Sequence, residues 1–514
     1  MSGPAGGEPA VLAIDLGSSG LKVGVVTLRG RVLAWAHRPL TTRHGAGGSA
    51  EQDAAEWWRL VRDGAAECLQ QPAAGRRVVA VGVTGQWAST VPVDADGLPV
   101  GPCLMWDDTQ GARHSRAVVG GPVQGYRPGA LVAWVRRTAG VPSPAGADPL
   151  GHMLHLQRDR PQVARAARWF LEPVDQLGMR FTGVAAASPA SMTAAWLTDN
   201  RHPERLEYDA SLVARAGIDP ARLPPLVRTG SVVAPVAPAV AEELGIAPDA
   251  VLVTGLPDLH SATVGSGGVR DFDAHVSLGT TAWVSCPLRA KKTDLLHQMA
   301  TVPGVTGSGY LLGNNQEAAG RCLEWARSWL VAGESYDDLL ALAAAARPGS
   351  GGVVFTPWLA GERSPVEDHR ARGGFANVSL GTSRADLARA VLEGVALNLR
   401  WLVEAADRVV GRRLDPLRIV GGGARSQLWC RIVADVLGRP VLRIADPLLA
   451  GLRGMGLVAG VALAEIGWDD VPALVPVADR LDPDPGTRAC YDRLFAEFPG
   501  LYRRQRRMFG RLNG

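Results

Sequence analysis

A chain of 514 residues is too long for one ordinary core, so two or more domains are expected. With 46% hydrophobic and 20% charged residues, its composition is that of an ordinary globular enzyme. Its 54 Lys and Arg against 50 Asp and Glu leave a net charge of +4, which argues against a dedicated nucleic-acid binder with a basic stripe.

The first residues, MSGPAGGEPA, are small and lack the charged start and apolar stretch of a signal peptide. From Val11, VLAIDLG is a continuous apolar run ending in glycine, the pattern of a buried strand. LKVGVVTL follows, then RG, then RVLAWAHR; two residues between β-rich runs predict a hairpin. This is an antiparallel meander, not the strand-to-helix step of a dinucleotide-binding unit. DAAEWWRLVRDGAAECLQ has helical spacing, with Asp53 as its N-cap. VVAVGVTG is another buried strand, and STVPVDADGLPVG turns at Asp96-Gly97. Residues 113–228, rich in Ala, Pro and Arg, read as helices and loops.

After Gly267-Gly268 the pattern restarts. AHVSLGT and TAWVSCP read as two strands around a turn, as at the start. TSRADLARAVLEGVALNLRWLVEAADRVV is a long amphipathic helix capped at Thr382 or Ser383. LRIVGGGA is a strand running into three glycines, SQLWCRIVADVLG the helix behind it, and PVLRI a further strand. LLAGLRGMGLVAGVALAEIGW is apolar but holds Arg453 and several glycines, so it reads as a buried helix, not a membrane span. YRRQRRMFGR near the end reads as a solvated helix terminus. The boundary is placed near residue 270, giving halves 1–270 and 271–514. The six cysteines (Cys68, Cys103, Cys286, Cys322, Cys430, Cys490) contain no CxxC pair. Neither a zinc site nor a disulfide framework is expected, and a reducing cytoplasm fits.

The chemistry gathers at the turns. A Gly/Ser/Thr turn between strands turns several backbone N–H groups to one side, a nest for anions. The glycine admits a phosphate close to the backbone. Gly17-Ser18-Ser19 and Gly279-Thr280-Thr281 are two such turns, each opening one half, which suggests two lobes clamping a polyphosphate. A hairpin also needs such residues for its geometry alone. Asp15, at the end of the first strand, is a candidate for Mg²⁺ or for capping the turn. Lys22 either neutralises phosphate or lays its stem along apolar surface. Gln86 and Trp87 form a candidate sugar-facing wall, with a core aromatic as the alternative for Trp87. Asp107 and Asp108 are placed to hold substrate hydroxyls or to cap a following helix. Asp258 follows a buried strand at a helix start, where the dipole favours an ionised carboxylate. That suits a general base and equally an N-cap. Gly422 and Gly423 leave bare backbone beside which a base or ribose can lie, with Ser426 and Gln427 as hydrogen-bonding groups. The segment is not GxGxxG, and the chain holds no GxxxxGK[ST] loop.

Taken in order, AIDLGSSGLKVGVV, GVTGQ, Trp106-Asp107-Asp108, TGLPD, SLGTT, GERSP (Gly361 to Pro365) and GGGARSQLWCRIVADVLGRPV resemble the FGGY family of carbohydrate kinases, within the actin/hexokinase-like ATPases, from about Val11 to Trp468. The resemblance implies an α/β fold of two ribonuclease H-like domains around a central cleft. Residues 1–270 would carry the sugar site and first phosphate turn, and 271–514 the nucleotide site. ATP and Mg²⁺ are the implied cofactors. Asp258 falls on the family's catalytic aspartate, Asp15, Gly17, Ser18 and Ser19 on its first phosphate turn, and Gly279, Thr280 and Thr281 on its second. Gly320 falls where the family approaches the nucleotide, and Gly422 and Gly423 fall on its adenosine motif.

The nearest branch by resemblance is xylulokinase, with D-xylulose as the expected acceptor. Two departures lie on the sugar side. The family's Met-His-Gly after Gly-Gln is here Trp87-Ala88-Ser89, and the arginine after the tryptophan-acid motif is Gln110. Another ketose, a polyol or a modified sugar stays open. The expected partners are ATP and a small sugar or polyol, with neither nucleic acid nor membrane and with a homodimer allowed. The alternatives are a catalytically idle relative that binds sugar or nucleotide, and an actin- or chaperone-like ATPase; the latter leaves GVTGQ and Trp-Asp-Asp unexplained.

Overall fold

The computed structural model describes every residue except 1–7, 72–75, 124, 139, 295–296, 298, 307–308, 332, 334 and 514. A six-stranded sheet organises the first half. Its strands are β1 (Pro9–Leu16), β2 (Gly20–Thr27), β3 (Val32–Pro39), β4 (Arg77–Gly85), β5 (Val232–Pro235) and β6 (Val251–Pro257), in the order β5-β6-β4-β1-β2-β3. β1 runs antiparallel to β2 and parallel to β4; β6 is parallel to β4 and β5 antiparallel to β6.

An eight-stranded sheet organises the second half: β7 (His275–Leu278), β8 (Ala282–Leu288), β9 (Thr293–Asp294), β10 (Met299–Pro303), β11 (Tyr310–Gln316), β12 (Leu417–Val420), β13 (Val441–Ile444) and β14 (Val477–Leu481). Its order is β9-β10-β11-β8-β7-β12-β13-β14. β7 is again antiparallel to the next strand and parallel to the strand on its other side, and an antiparallel strand closes that edge. The second sheet therefore repeats the pairing directions of the first, with β9 and β10 added at one edge. The two matched turns are equivalent corners of one duplicated unit.

The expected elements form where the patterns put them. Asp53 caps α1 (Ala54–Gln70), its side chain accepting from Ala55 N. Pro173 opens α2 (Pro173–Thr182), and Asp258 opens α3 (Asp258–Gly265). α4 (Gly320–Leu330) follows β11. Of the two candidate caps for the long helix, Ser383 is the one used, in a capping box with Asp386 at the head of α5 (Arg384–Val410). α6 (Gln427–Leu437) follows the three glycines, and α7 (Ala450–Ala462) is the buried helix predicted from its apolar run. No helix among the described residues is long and apolar enough to cross a membrane. The basic terminal cluster lies on the exposed end of α8 (Arg488–Leu512).

The side chains of β1 alternate between two cores, as a strand's period of two requires. Leu12, Ile14 and Leu16 pack with Trp57 and Val61 of α1 and Leu177 of α2. Val11 and Ala13 pack with Leu452, Met455 and Val458 of α7. Burying each large apolar side chain contributes about 2 kcal/mol. Helix α7, from the second half of the sequence, thus covers one face of the first sheet. It crosses α3 at backbone contact: a Cβ on Gly265 would lie 1.9 Å from Ala450 O, and one on Gly454 1.9 Å from Ser261 O.

Candidate active site

The first turn is built by β1 and β2. Gly17 N donates to Gly20 O at 2.9 Å, which closes the corner. The register sets Asp15 opposite Lys22, and Lys22 Nζ donates to Asp15 Oδ2 at 2.9 Å. Ser18 and Ser19 are exposed on the turn. Behind it, Gln52 Nε2 donates to Ser18 O at 2.7 Å. Because β1 alternates, Asp15 shares the face of Val11 and Ala13 and points toward the start of α7. There a Cβ on Gly451 would come within 2.9 Å of its Oδ2.

The second turn has the same make. Gly279 N donates to Thr281 O at 2.9 Å, and Thr280 is exposed. Trp283 Nε1 donates to Thr281 Oγ1 at 2.8 Å. Gly320, at the head of α4, rests on this turn: its N donates to Gly279 O at 2.9 Å, and a Cβ there would lie 2.8 Å from the same oxygen.

The three glycines after β12 run past the end of β7. Gly421 has φ +92, and a Cβ on it would lie 2.8 Å from Leu278 O. A Cβ on Gly423 would strike the Trp429 ring at 2.6 Å, so close packing demands glycine there. Gly422 is exposed, with only Leu448 within 3.8 Å of a Cβ. Ser426 caps α6, its Oγ accepting from Trp429 N at 3.2 Å, while Gln427 is exposed.

Asp258 is the first residue of α3, directly after β6. Its Oδ1 accepts from its neighbour Leu259 N at 2.7 Å. Asp258 is exposed to solvent, while the protein packed around its position desolvates the carboxyl. That desolvation, with the nearby negative charge of Asp15, pushes its carboxyl up to about 7; the Leu259 amide and Lys22 pull the other way. Lys22 is in turn raised, first by Asp15, against the opposing effect of burial, with Asp258 adding to the rise. The three groups act on one another across the mouths of β1, β2 and β6.

Trp87 follows β4. Its Nε1 donates to Ser191 O at 2.7 Å, and its ring meets His260 edge-on at 6.0 Å. With Trp196 and Trp283 it packs on an apolar cluster of Leu259, Val302 and Leu311. Residues of both halves therefore meet beside Asp258. Gln86 is 5% exposed; its Nε2 donates to Gln52 Oε1 at 3.2 Å, and its Oε1 is buried with no partner among the described residues. Asp108 is fully buried: Oδ2 accepts from Ala50 N at 2.9 Å and Gln110 Nε2 at 2.7 Å, and Oδ1 from Gln110 N at 3.0 Å. Gln110 in turn accepts from Arg160 at 3.1 Å. Among the described residues no group of three His, Cys, Asp or Glu side chains is arranged to hold a metal ion by itself.

The N-terminal domain model of the FGGY family of carbohydrate kinases matches residues 10–265, and its C-terminal domain model matches residues 274–463. The chain belongs to the FGGY family of carbohydrate kinases. A xylulose kinase from Staphylococcus epidermidis is 26% identical over 510 residues, covering 98% of each chain. A glycerol kinase from Gloeobacter violaceus is 28% identical over 484 residues, covering 91% of this chain and 90% of its own. The crystal structure of xylulose kinase from Rhodospirillum rubrum superposes with a TM-score of 0.83 at 28% identity, covering 98% of this chain and all of that one. The duplicated sheets are thus the two ribonuclease H-like units of the actin/hexokinase-like ATPase fold, as the resemblance implied.

On this FGGY frame the sequence-predicted residues separate into groups. Asp15, Lys22 and Asp258 come together. The second turn joins Gly320. Gly423, Ser426 and Asp108 are committed to packing, capping and internal hydrogen bonds. Sequence reasoning passed over Gln52, which links Gln86 to the first turn, and Gly451, which touches Asp15. His260, two residues past Asp258, carries no signal of its own in the sequence, and no local pattern shows that its ring meets Trp87.

Proposed function

We propose that this carbohydrate kinase transfers the γ-phosphoryl group of ATP to the primary hydroxyl of D-xylulose, giving D-xylulose 5-phosphate. The observation that carries the reading is the placement of Asp258: a solvent-reached carboxyl beside Asp15 and Lys22, with a proton affinity near neutrality. A base tuned close to the working pH is suited to accept the proton of an alcohol. The xylulose kinases among the relatives support the choice of acceptor, while Trp87 and Gln110 are where it would differ from them.

In this reading residues 1–270 bind the acceptor and carry the first phosphate turn, and 271–514 bind the nucleotide. Asp258 takes the proton as the hydroxyl oxygen attacks phosphorus and ADP leaves. The exposed N–H groups and hydroxyls of Gly17-Ser18-Ser19 and Gly279-Thr280-Thr281 hold the phosphates, with Lys22 adding positive charge. Positioning and charge stabilisation supply most of the catalysis in such transfers. Gly320, Gly422, Gly423, Ser426 and Gln427 line the nucleoside side, Gly422 and Gln427 through open faces and Gly423 and Ser426 through backbone shape. Gln86 and Trp87 face the sugar, and Asp108 acts through Gln110. Mg²⁺ fits this donor set only together with nucleotide: Asp15 offers one carboxylate, and this ion is usually held by one or two carboxylates plus phosphate oxygens and water. When bound it would neutralise phosphate charge beside Asp15. An ATP-consuming reaction of this kind belongs in the cytoplasm.

The test is a coupled ADP-release assay over a panel of ketoses, polyols and aldoses. D-Xylulose is expected to give the highest kcat/KM. Stimulation by none of them would overturn the assignment, and a better polyol would move it within the family.

A further inference from the structure

The first turn of α2 (Pro173–Thr182) carries two acids that the transfer itself does not require, Glu172 and Asp175, 1% and 3% exposed. Glu172 stands at the N-cap, yet its side chain does not cap its own helix. Its Oε2 instead accepts from Ser89 N at 3.2 Å, and the Ala88 amide acts on the same carboxyl. Its Oε1 is buried with no partner among the described residues. Ala88 has φ +62, a left-handed conformation that disfavours any residue bearing a Cβ and persists only where its surroundings dictate it. The Ser191 side chain acts on the Asp175 carboxyl, whose Oδ2 is buried with no hydrogen-bond partner among the described residues, and the Ser191 carbonyl accepts the Trp87 indole N–H at 2.7 Å. Val174, between the two acids, packs on Gly255 of β6, where a Cβ would lie 3.0 Å from its own. One helical turn thus touches the backbone after Trp87, the support of its indole, and the strand that delivers Asp258.

We infer that Glu172 and Asp175 are positioning residues that fix the Trp87 indole and thereby set which acceptor alcohol is presented to Asp258. The inference rests on the proposed sugar-kinase reading. Burial pushes both carboxyls well above the ordinary range. Glutamine or asparagine keeps the shape of either side chain and one acceptor oxygen. An acceptor that lays a C–H face on the indole would depend on this support, and ATP would not.

The experiment compares Glu172→Leu, Glu172→Asp and Glu172→Gln in the full chain, with Asp175→Leu, expected to raise the acceptor KM likewise, as a companion. Losing a buried acceptor of a backbone N–H is expected to raise the acceptor KM about tenfold in the Leu and Asp variants, with the KM for ATP within about twofold. Glu172→Gln is expected to restore the acceptor KM, because its amide oxygen still accepts from Ser89 N. Hydrogen exchange of the Ala88 and Ser89 amides, followed without any acceptor, is expected to speed up about tenfold in the Leu and Asp variants and to return in Gln. An unchanged acceptor KM, or KM values for acceptor and ATP that rise together with a falling Tm, would overturn the positioning role. Should the parent protein phosphorylate no sugar or polyol, the kinase reading fails by itself. Amide exchange then still decides whether Glu172 holds this loop, and an unaltered rate in both Leu and Asp variants would sink that claim. Where the Leu variant does not fold, the Asp variant carries the same comparison.

Discussion

Gly451, at the head of α7, lies so close to Asp15 that a Cβ would sit 2.9 Å from the carboxylate oxygen that Lys22 holds. Helix propensity favours alanine over glycine inside a helix by about 1 kcal/mol. Gly451→Ala is therefore expected to fold, with the Asp15 side chain turned away from Lys22. We expect kcat to fall about tenfold, with nucleotide affinity changed far less, since only the charge arrangement at the proposed phosphate site is disturbed. Full activity in that variant would show that the orientation of Asp15 does not matter.

Asp258→Asn removes the proposed proton acceptor and keeps the shape. Sugar-dependent ADP release is expected to fall by at least about a thousandfold, while ATP binding by calorimetry stays intact. Undiminished turnover would refute the role of Asp258 as base.

The same carboxyl predicts a pH profile. The proposed base role needs it ionised, so kcat/KM is expected to rise with pH through about 7 and to fall on the acid side. Burial is the larger cause of that value and Asp15 the second. Asp15→Asn is expected to move the acid limb to lower pH, since it removes a negative neighbour and leaves Lys22 unbalanced. An acid limb that stays in place would mean that Asp15 does not act on Asp258.

Stability follows with the opposite sign. A carboxyl raised on folding binds its proton more tightly in the folded than in the unfolded chain. Its stabilising contribution is present at low pH and is lost as pH rises through about 7. Asp258→Asn should therefore gain in Tm relative to the parent between pH 5 and pH 8, as calorimetry can show. Parallel Tm curves would contradict the raised value.

Trp87 is the acceptor-side test. Trp87→Ala is expected to raise the sugar KM about tenfold and to leave the KM for ATP within about twofold, since an aromatic face contributes about 1–2 kcal/mol at such a contact. Equal changes in both would make Trp87 a core residue and no more.

Much of this architecture is written in local pattern. Continuous apolar runs that end in glycine became β1 and β4, the strand read in AHVSLGT became β7, and the two-residue spacing at Arg29-Gly30 became the hairpin of β2 and β3. Asp15 and Lys22 could be named because both stand next to a turn. What stayed hidden depends on long-range packing. Nothing near Gly451 in sequence reveals that it touches Asp15, and nothing near Asp108 reveals that the Ala50 N–H donates to it. Glu172 sits in a helix-rich stretch whose composition carries no chemistry; its partner Ser89 is brought to it only by the fold.

The cover that α7 provides has a consequence for how the chain matures on the ribosome. Val11, Ala13 and Val26 emerge early, but Leu452, Met455 and Val458, which seal that side of the sheet, are made only near the end. Until then the nascent sheet has one oily surface open to water and to chaperones. A gene fragment cut at residue 270 would inherit that bare surface permanently, and supplying α7 from a separate polypeptide would be the way to make the fragment soluble.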